Sequence, residues 1–220
     1  ELDEAGAASI MGKMILTEGT LPDYFEKDEY EIAETEFKEV TGQPLTLMAP
    51  FKPIAVTMQL TEGISSEIAT ELAPSSGKPM DMWLAQETKR LNRPLTELET
   101  LEFQSNLLFG DENYDEQADE LVSFVEEMDQ IKKGTRALLE AYLANDLNLI
   151  EKTIADFPEM SDIGTSMEEL VDKRNFNWME QLPQLMQEQS QFIAVGALHL
   201  VGENGLVNLM QQEGYTVTPI

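Results

Sequence analysis

Cysteine is absent from this chain and histidine occurs once. Without thiols there are no disulfides and no thiolate metal ligands, so a divalent ion would have only carboxylates and one imidazole to bind. Cations are scarce as well: 14 Lys and Arg stand against 42 Asp and Glu, for a formal net charge of −28. A surface of that sign repels phosphate backbones and anionic lipid, which argues against nucleic acid and membrane surfaces as partners. No apolar run approaches the roughly 20 residues of a membrane span. Glu1-Leu2-Asp3-Glu4 also lacks the basic and apolar regions of a signal peptide. The chain opens without Met, so a trimmed or processed product is expected, with further sequence upstream.

What is present suffices for one domain: 220 residues, 42% of them apolar, can bury a substantial core. Residues 4–12 and 24–41 have helical spacing, the second ending at Gly42 with Pro44 behind it. A helix from about Lys52 to Leu60 accepts Pro53 in its first turn, and a loop with a short helix leads on to Pro79. Met80 to Leu91 is helical, and Asn92-Arg93-Pro94 breaks it. Thr100 is a plausible N-cap for a helix reaching Leu108. Asp119 to Ala144 reads as one long helix interrupted by Gly134. Asp146 to Phe157 adds another, and Met167 to Gln189 forms one or two more, broken near Pro183.

Three segments read as strands: Leu95–Leu98 by alternation, Phe192–Val195 as a continuous apolar run, and Tyr215–Val217 after a helix over Asn204–Glu213 that stops at Gly214. The expected architecture is therefore α/β, a small mixed sheet covered by large helical insertions over about residues 4–92 and 111–189, helix-rich overall and forming a single domain over 1–220. An exposed sheet edge in such a fold invites pairing with a second copy, so a homodimer is expected.

The lone histidine, His199, lies in Phe-Ile-Ala-Val-Gly-Ala-Leu-His-Leu-Val-Gly, bracketed by Gly196 and Gly202. Loops at the carboxyl ends of strands hold reactive groups in α/β proteins, and imidazole supplies metal binding or acid/base chemistry near neutral pH. The plain alternative is a histidine whose hydrogen bonds simply close a strand–turn junction. Glu97 and Glu99 would point to opposite faces of a strand, so at most one enters a site, and a solvated acidic edge is the ordinary role for both. Arg174 is one of few cations, by default a surface ion pair, with Asn175 beside it able to orient a ligand or carbonyl. Asp111 to Asp115 opens like a calcium loop, but Glu116 stands where Gly is needed and Val122 where a bidentate Glu is needed. It reads as an acidic approach to a helix.

Taken together, Arg174-Asn175, Trp178, Phe192 through Leu206 and Glu213-Gly214-Tyr215-Thr216-Val217 resemble the carboxyl-terminal signature of the TraB/GumN family, related to the Tiki proteases. Phe51-Lys52-Pro53, Lys78-Pro79-Met80-Asp81 through Leu84, and Pro94 through Thr100 with Gln104 resemble its middle motifs, in order along nearly the whole chain.

The resemblance implies a metal-dependent hydrolase of peptide bonds, in which two Gly-x-x-His motifs and a strand-end Glu hold a divalent cation. Gly196-Ala197-Leu198-His199 matches the second motif, Glu1 is carried over by position as the acidic residue, Arg174 matches an Arg-Asn pair, and Glu99 matches a Leu-Glu-Thr turn. Catalytic roles thus fall on Glu1, Arg174 and His199, metal ligation on His199 and Glu1, and cofactor contacts on Glu99 and Gly196. The first Gly-x-x-His has no counterpart here and is expected upstream, which leaves half a site and weak or no binding of Mn²⁺, Co²⁺ or Zn²⁺. A peptide or protein substrate and an extracytoplasmic bacterial location follow from the resemblance. So does the alternative, a non-catalytic binding or regulatory module in signalling or at the cell surface.

Overall fold

The computed structural model describes residues 4–73, 79–161 and 166–219. Their order is α1 (Glu4–Met14), α2 (Lys27–Thr41), α3 (Pro53–Leu72), α4 (Met80–Arg90), α5 (Leu101–Phe109), α6 (Tyr114–Glu126), α7 (Met128–Leu143), α8 (Leu147–Asp156), α9 (Lys173–Met179), α10 (Leu182–Glu188) and α11 (Leu206–Gln212). Short 3-10 turns lie at Leu21–Tyr24, Leu45–Met48, Pro158–Ser161 and Ala197–Leu200, and a π-helical turn at Glu168–Asp172 runs into α9.

The helix ends follow local chemistry. Gly42 closes α2 in the left-handed region at φ 70°, where a side chain would be strained. The Thr100 hydroxyl accepts from the Phe103 N–H at 3.1 Å to start α5. Asp146 takes the N–H groups of Asn148 and Leu149 to start α8. At Gly214 (φ 91°) the Tyr215 N–H returns to the Met210 carbonyl at 3.0 Å, satisfying a carbonyl at the end of α11.

The larger core lies among α2, α3, α6 and α7, where Phe37, Leu60, Ile64, Leu121, Phe124 and Ile131 are buried. Helix α3 extends twelve residues beyond the expected end at Leu60, to Leu72. Its Gly63 lies against α2 so closely that a Cβ there would come within 2.6 Å of Val40 Cγ1. The expected long helix divides at Glu127 rather than at Gly134. Gly134 is buried within α7, where a Cβ would crowd Phe157 at 3.0 Å. Lys52 is also buried, its ammonium donating to the carbonyls of Phe109 (2.7 Å) and Asp111 (3.2 Å), which ties the start of α3 to the end of α5.

The α/β expectation is corrected. Among the described residues no strand or sheet forms, the one backbone bridge being Ile15 with Phe51, and the fold is all-helical. Leu95–Leu98, Phe192–Val195 and Tyr215–Val217 carry no ladder. Alternation and apolar runs report which side chains are buried, and here they report it well: Leu98, Ile193, Val195, Tyr215 and Val217 all lean on a second core of Trp178, Leu182, Leu206 and Met210 from α9, α10 and α11. A strand also needs partner N–H and C=O groups within reach, and burial pattern does not encode those. The sheet edge behind the homodimer expectation is absent from the described residues for the same reason.

Candidate functional site

The second core positions a cleft of about 550 Å³, lined among others by Glu97, Glu99, Gln104, Arg174, Trp178, Gly196 and His199. Three pieces of chain meet there. Helix α9 brings Arg174, Asn175 and Trp178, the turn into α5 brings Glu99, and the 3-10 turn after Gly196 brings His199. Separations of 75 residues between Glu99 and Arg174 and 24 between Asn175 and His199 are thus closed by packing on Trp178 and Leu98.

Glu99 and Arg174 form a bidentate pair. Arg174 Nε lies 3.0 and 3.1 Å from the two carboxylate oxygens and Nη2 lies 2.9 Å from Oε2. Gln104 Nε2 adds a third donor at 3.2 Å. The side chains are 6% and 17% exposed, so this is no surface pair. Burial opposes ionisation of Glu99, but the donors from Arg174 and Gln104 and the guanidinium charge outweigh it and hold the carboxyl below its usual value. The buried Trp178 N–H lowers it further while stopping short of a hydrogen bond. A second contact holds Arg174 from the π-helical turn at Glu168–Asp172. Arg174 lies just past that turn, and its Nη1 donates to the Leu170 carbonyl at 2.9 Å.

His199 is 7% exposed. Its ring lies against Trp178 with centroids 4.4 Å apart, and Nδ1 is 2.8 Å from Asn175 Oδ1. Burial, reinforced by the Arg174 cation and opposed by Glu99, pushes the imidazole pKa down from 6.5 to about 4, so the ring is neutral near pH 7. Gly196 stands beside the Cδ2 edge, and even an added Cβ would come no closer than 3.7 Å. No hydrogen bond to Nε2 forms among the described residues.

Of the residues singled out from sequence, Glu99, Arg174, Gly196 and His199 share this cleft, and Glu97 lies exposed at its rim. Glu1 lies outside the described residues. Among those described, no three His, Cys, Asp or Glu side chains are grouped to hold a metal ion. His199 offers one ligand nitrogen, and the Glu99 oxygens are already taken by Arg174 and Gln104, so these residues do not make a metal centre by themselves. Sequence reasoning missed Asp172 and Asn204. Asn204 Nδ2 donates to Asp172 Oδ2 at 2.7 Å, and the Asn204 carbonyl accepts from Asn175 at 2.7 Å. Nothing in their spacing of 32 residues signals the contact.

The sequence profile of the TraB/PrgY/gumN family matches residues 1–219. The chain belongs to that family. It is similar to the zebrafish (Danio rerio) protein named metalloprotease TIKI1, 25% identical over 191 residues that make up 76% of this chain and 38% of the relative. It is also similar to metalloprotease TIKI2 of the same species, 28% identical over 170 residues, 65% of this chain and 33% of the relative. The chain thus spans about a third of the length of these relatives. No solved structure matches it significantly. Within this TraB/PrgY/gumN chain, the residues quoted for the family resemblance at Glu99, Arg174 and His199 are the ones that converge on the cleft.

Proposed function

We propose that this chain contributes to a metal-dependent hydrolase of peptide bonds, supplying an imidazole ligand from His199 while the remaining ligands, Glu1 among them, come from outside the described residues. The observation that carries the reading is a buried, neutral imidazole with one nitrogen anchored, on a residue that lines an open cleft. An imidazole that must bind a cation has to be deprotonated, and ligand histidines characteristically anchor their second nitrogen on a protein acceptor. Family membership and similarity to proteins named metalloproteases support the same chemistry. Imidazole favours Mn²⁺, Co²⁺ or Zn²⁺ over Ca²⁺.

The ion pair has a separate part in this proposal. Three of the five guanidinium N–H groups of Arg174 serve Glu99 and Leu170, so Arg174 is held rigidly at the cleft wall, with two left for an oxygen of a bound peptide.

The test is a peptidase assay on the protein with and without chelator, followed by re-addition of Mn²⁺, Co²⁺ or Zn²⁺ and repeated with His199→Ala. Loss of cleavage in both arms with recovery by metal in the wild type alone is expected, and cleavage indifferent to both overturns the proposal. No cleavage under any metal favours the other reading, a non-catalytic binding or regulatory module. Calorimetry on residues 1–220 should show weak divalent binding.

A further inference from the structure

Asn175 is fully buried at 0% exposure, and its side chain makes three polar contacts. One end of the amide lies 2.7 Å from the Asn204 carbonyl oxygen and 3.2 Å from that of His199. Two acceptors can be faced only by the NH₂ group, because the flipped amide would set oxygen against oxygen twice. The other end, 2.8 Å from His199 Nδ1, is therefore the amide oxygen. That oxygen carries no proton, so Nδ1 must supply one. In a neutral imidazole this leaves Nε2 as a lone pair.

We propose that Asn175 is a positioning residue that selects the Nδ1–H tautomer of His199 and so presents the Nε2 lone pair to the cleft. The functional consequence rests on the hydrolase reading given above, but the tautomer does not. Asn175 grips His199 twice, by ring and by backbone carbonyl, so the ring cannot turn without breaking a bond at its own residue. The grip is itself anchored, since Asn204 is tied to Asp172, one turn before Asn175 on the same helical run. Trp178 lies against the ring, and Gly196 stands beside its Cδ2 edge without a side chain. Either metal ligation or proton acceptance at Nε2 needs that lone pair, and the opposite tautomer, which free imidazole side chains favour, would put a hydrogen there instead.

A single histidine makes the test direct, because a long-range ¹H–¹⁵N spectrum of the metal-free protein contains one imidazole. At neutral pH the wild type is expected to show Nδ1 protonated and Nε2 unprotonated. A spectrum with Nε2 protonated, or an average of the two forms, overturns the proposal. Asn175→Leu removes the acceptor and should shift the ring to Nε2–H, whereas Asn175→Asp keeps an acceptor at Nδ1 and should retain Nδ1–H. Both variants lose the donors to the two carbonyls, so a merely structural role would move them together, and an Asn175→Leu protein that keeps Nδ1–H refutes the assignment. Where circular dichroism shows that a variant has not folded, the wild-type spectrum decides alone. Peptide cleavage should fall about 10–100-fold in Asn175→Leu, the usual loss when a partner that orients a ligand is removed, and less in Asn175→Asp. Absence of cleavage in the wild type counts against the hydrolase reading and leaves the spectrum to judge the tautomer.

Discussion

His199 should make the protein's stability depend on pH, in a way that one substitution can isolate. In the folded chain its pKa is about 4 against the usual 6.5, because burial penalises the cation and Arg174 repels it. The unfolded chain therefore takes up a proton more readily than the folded one as pH falls through 6.5. Stability associated with the neutral ring is complete above that value and is lost progressively toward pH 4. The gap corresponds to about 3 kcal/mol in full, and to roughly 2 kcal/mol between about pH 7.5 and pH 5. His199→Gln has no such proton to gain. Urea unfolding of both proteins across that interval should show the wild type losing about 2 kcal/mol relative to the variant. The 42 carboxylates titrate in both proteins, so their contribution largely cancels in the difference. A difference that stays flat with pH, or that grows in favour of the wild type on acidification, would refute the burial argument.

Two further outcomes follow from the buried polar contacts. Glu99→Gln leaves the Arg174 guanidinium buried beside a neutral partner and should cost about 3 kcal/mol in urea unfolding, partly recovered in the double variant with Arg174→Gln; a loss below about 1 kcal/mol would mean that the pair behaves as an exposed one. Lys52→Met strands the Phe109 and Asp111 carbonyls and should cost about 1–3 kcal/mol by the same measurement, with wild-type stability as the contrary result.

Helix ends were legible because their signals are local. A glycine in the left-handed region at Gly42 or Gly214, a hydroxyl at Thr100 and a carboxylate at Asp146 each satisfy backbone groups within a few residues, so sequence neighbours carry the information. Gly134 shows the limit. It reads as an interruption, yet it sits inside α7 because Phe157 comes too close for a side chain, and that neighbour is distant in sequence; Gly63, three residues past the expected end of α3, lies inside that helix against Val40 in the same way. The three expected strands failed for a related reason. Their apolar spacing encodes burial against Trp178 and Leu206, whereas a ladder depends on which backbone lies alongside.

The site was legible in its residue types and not in their couplings. Spacing alone left Glu97 and Glu99 equivalent while the family resemblance picked out Glu99, and it is the turn into α5 that lets Glu99 meet Arg174 while Glu97 stays at the rim. That pairing has an electrostatic consequence for His199. Arg174 disfavours the imidazolium and Glu99 favours it, so the two charges oppose each other at the ring and burial remains the larger cause of its neutrality. A cation left alone at that position would depress the imidazole further, and a carboxylate left alone would let it protonate nearer pH 7. Binding the two together through three guanidinium contacts lets the cleft hold a charged pair beside the histidine without surrendering the neutral ring that ligation or proton acceptance requires.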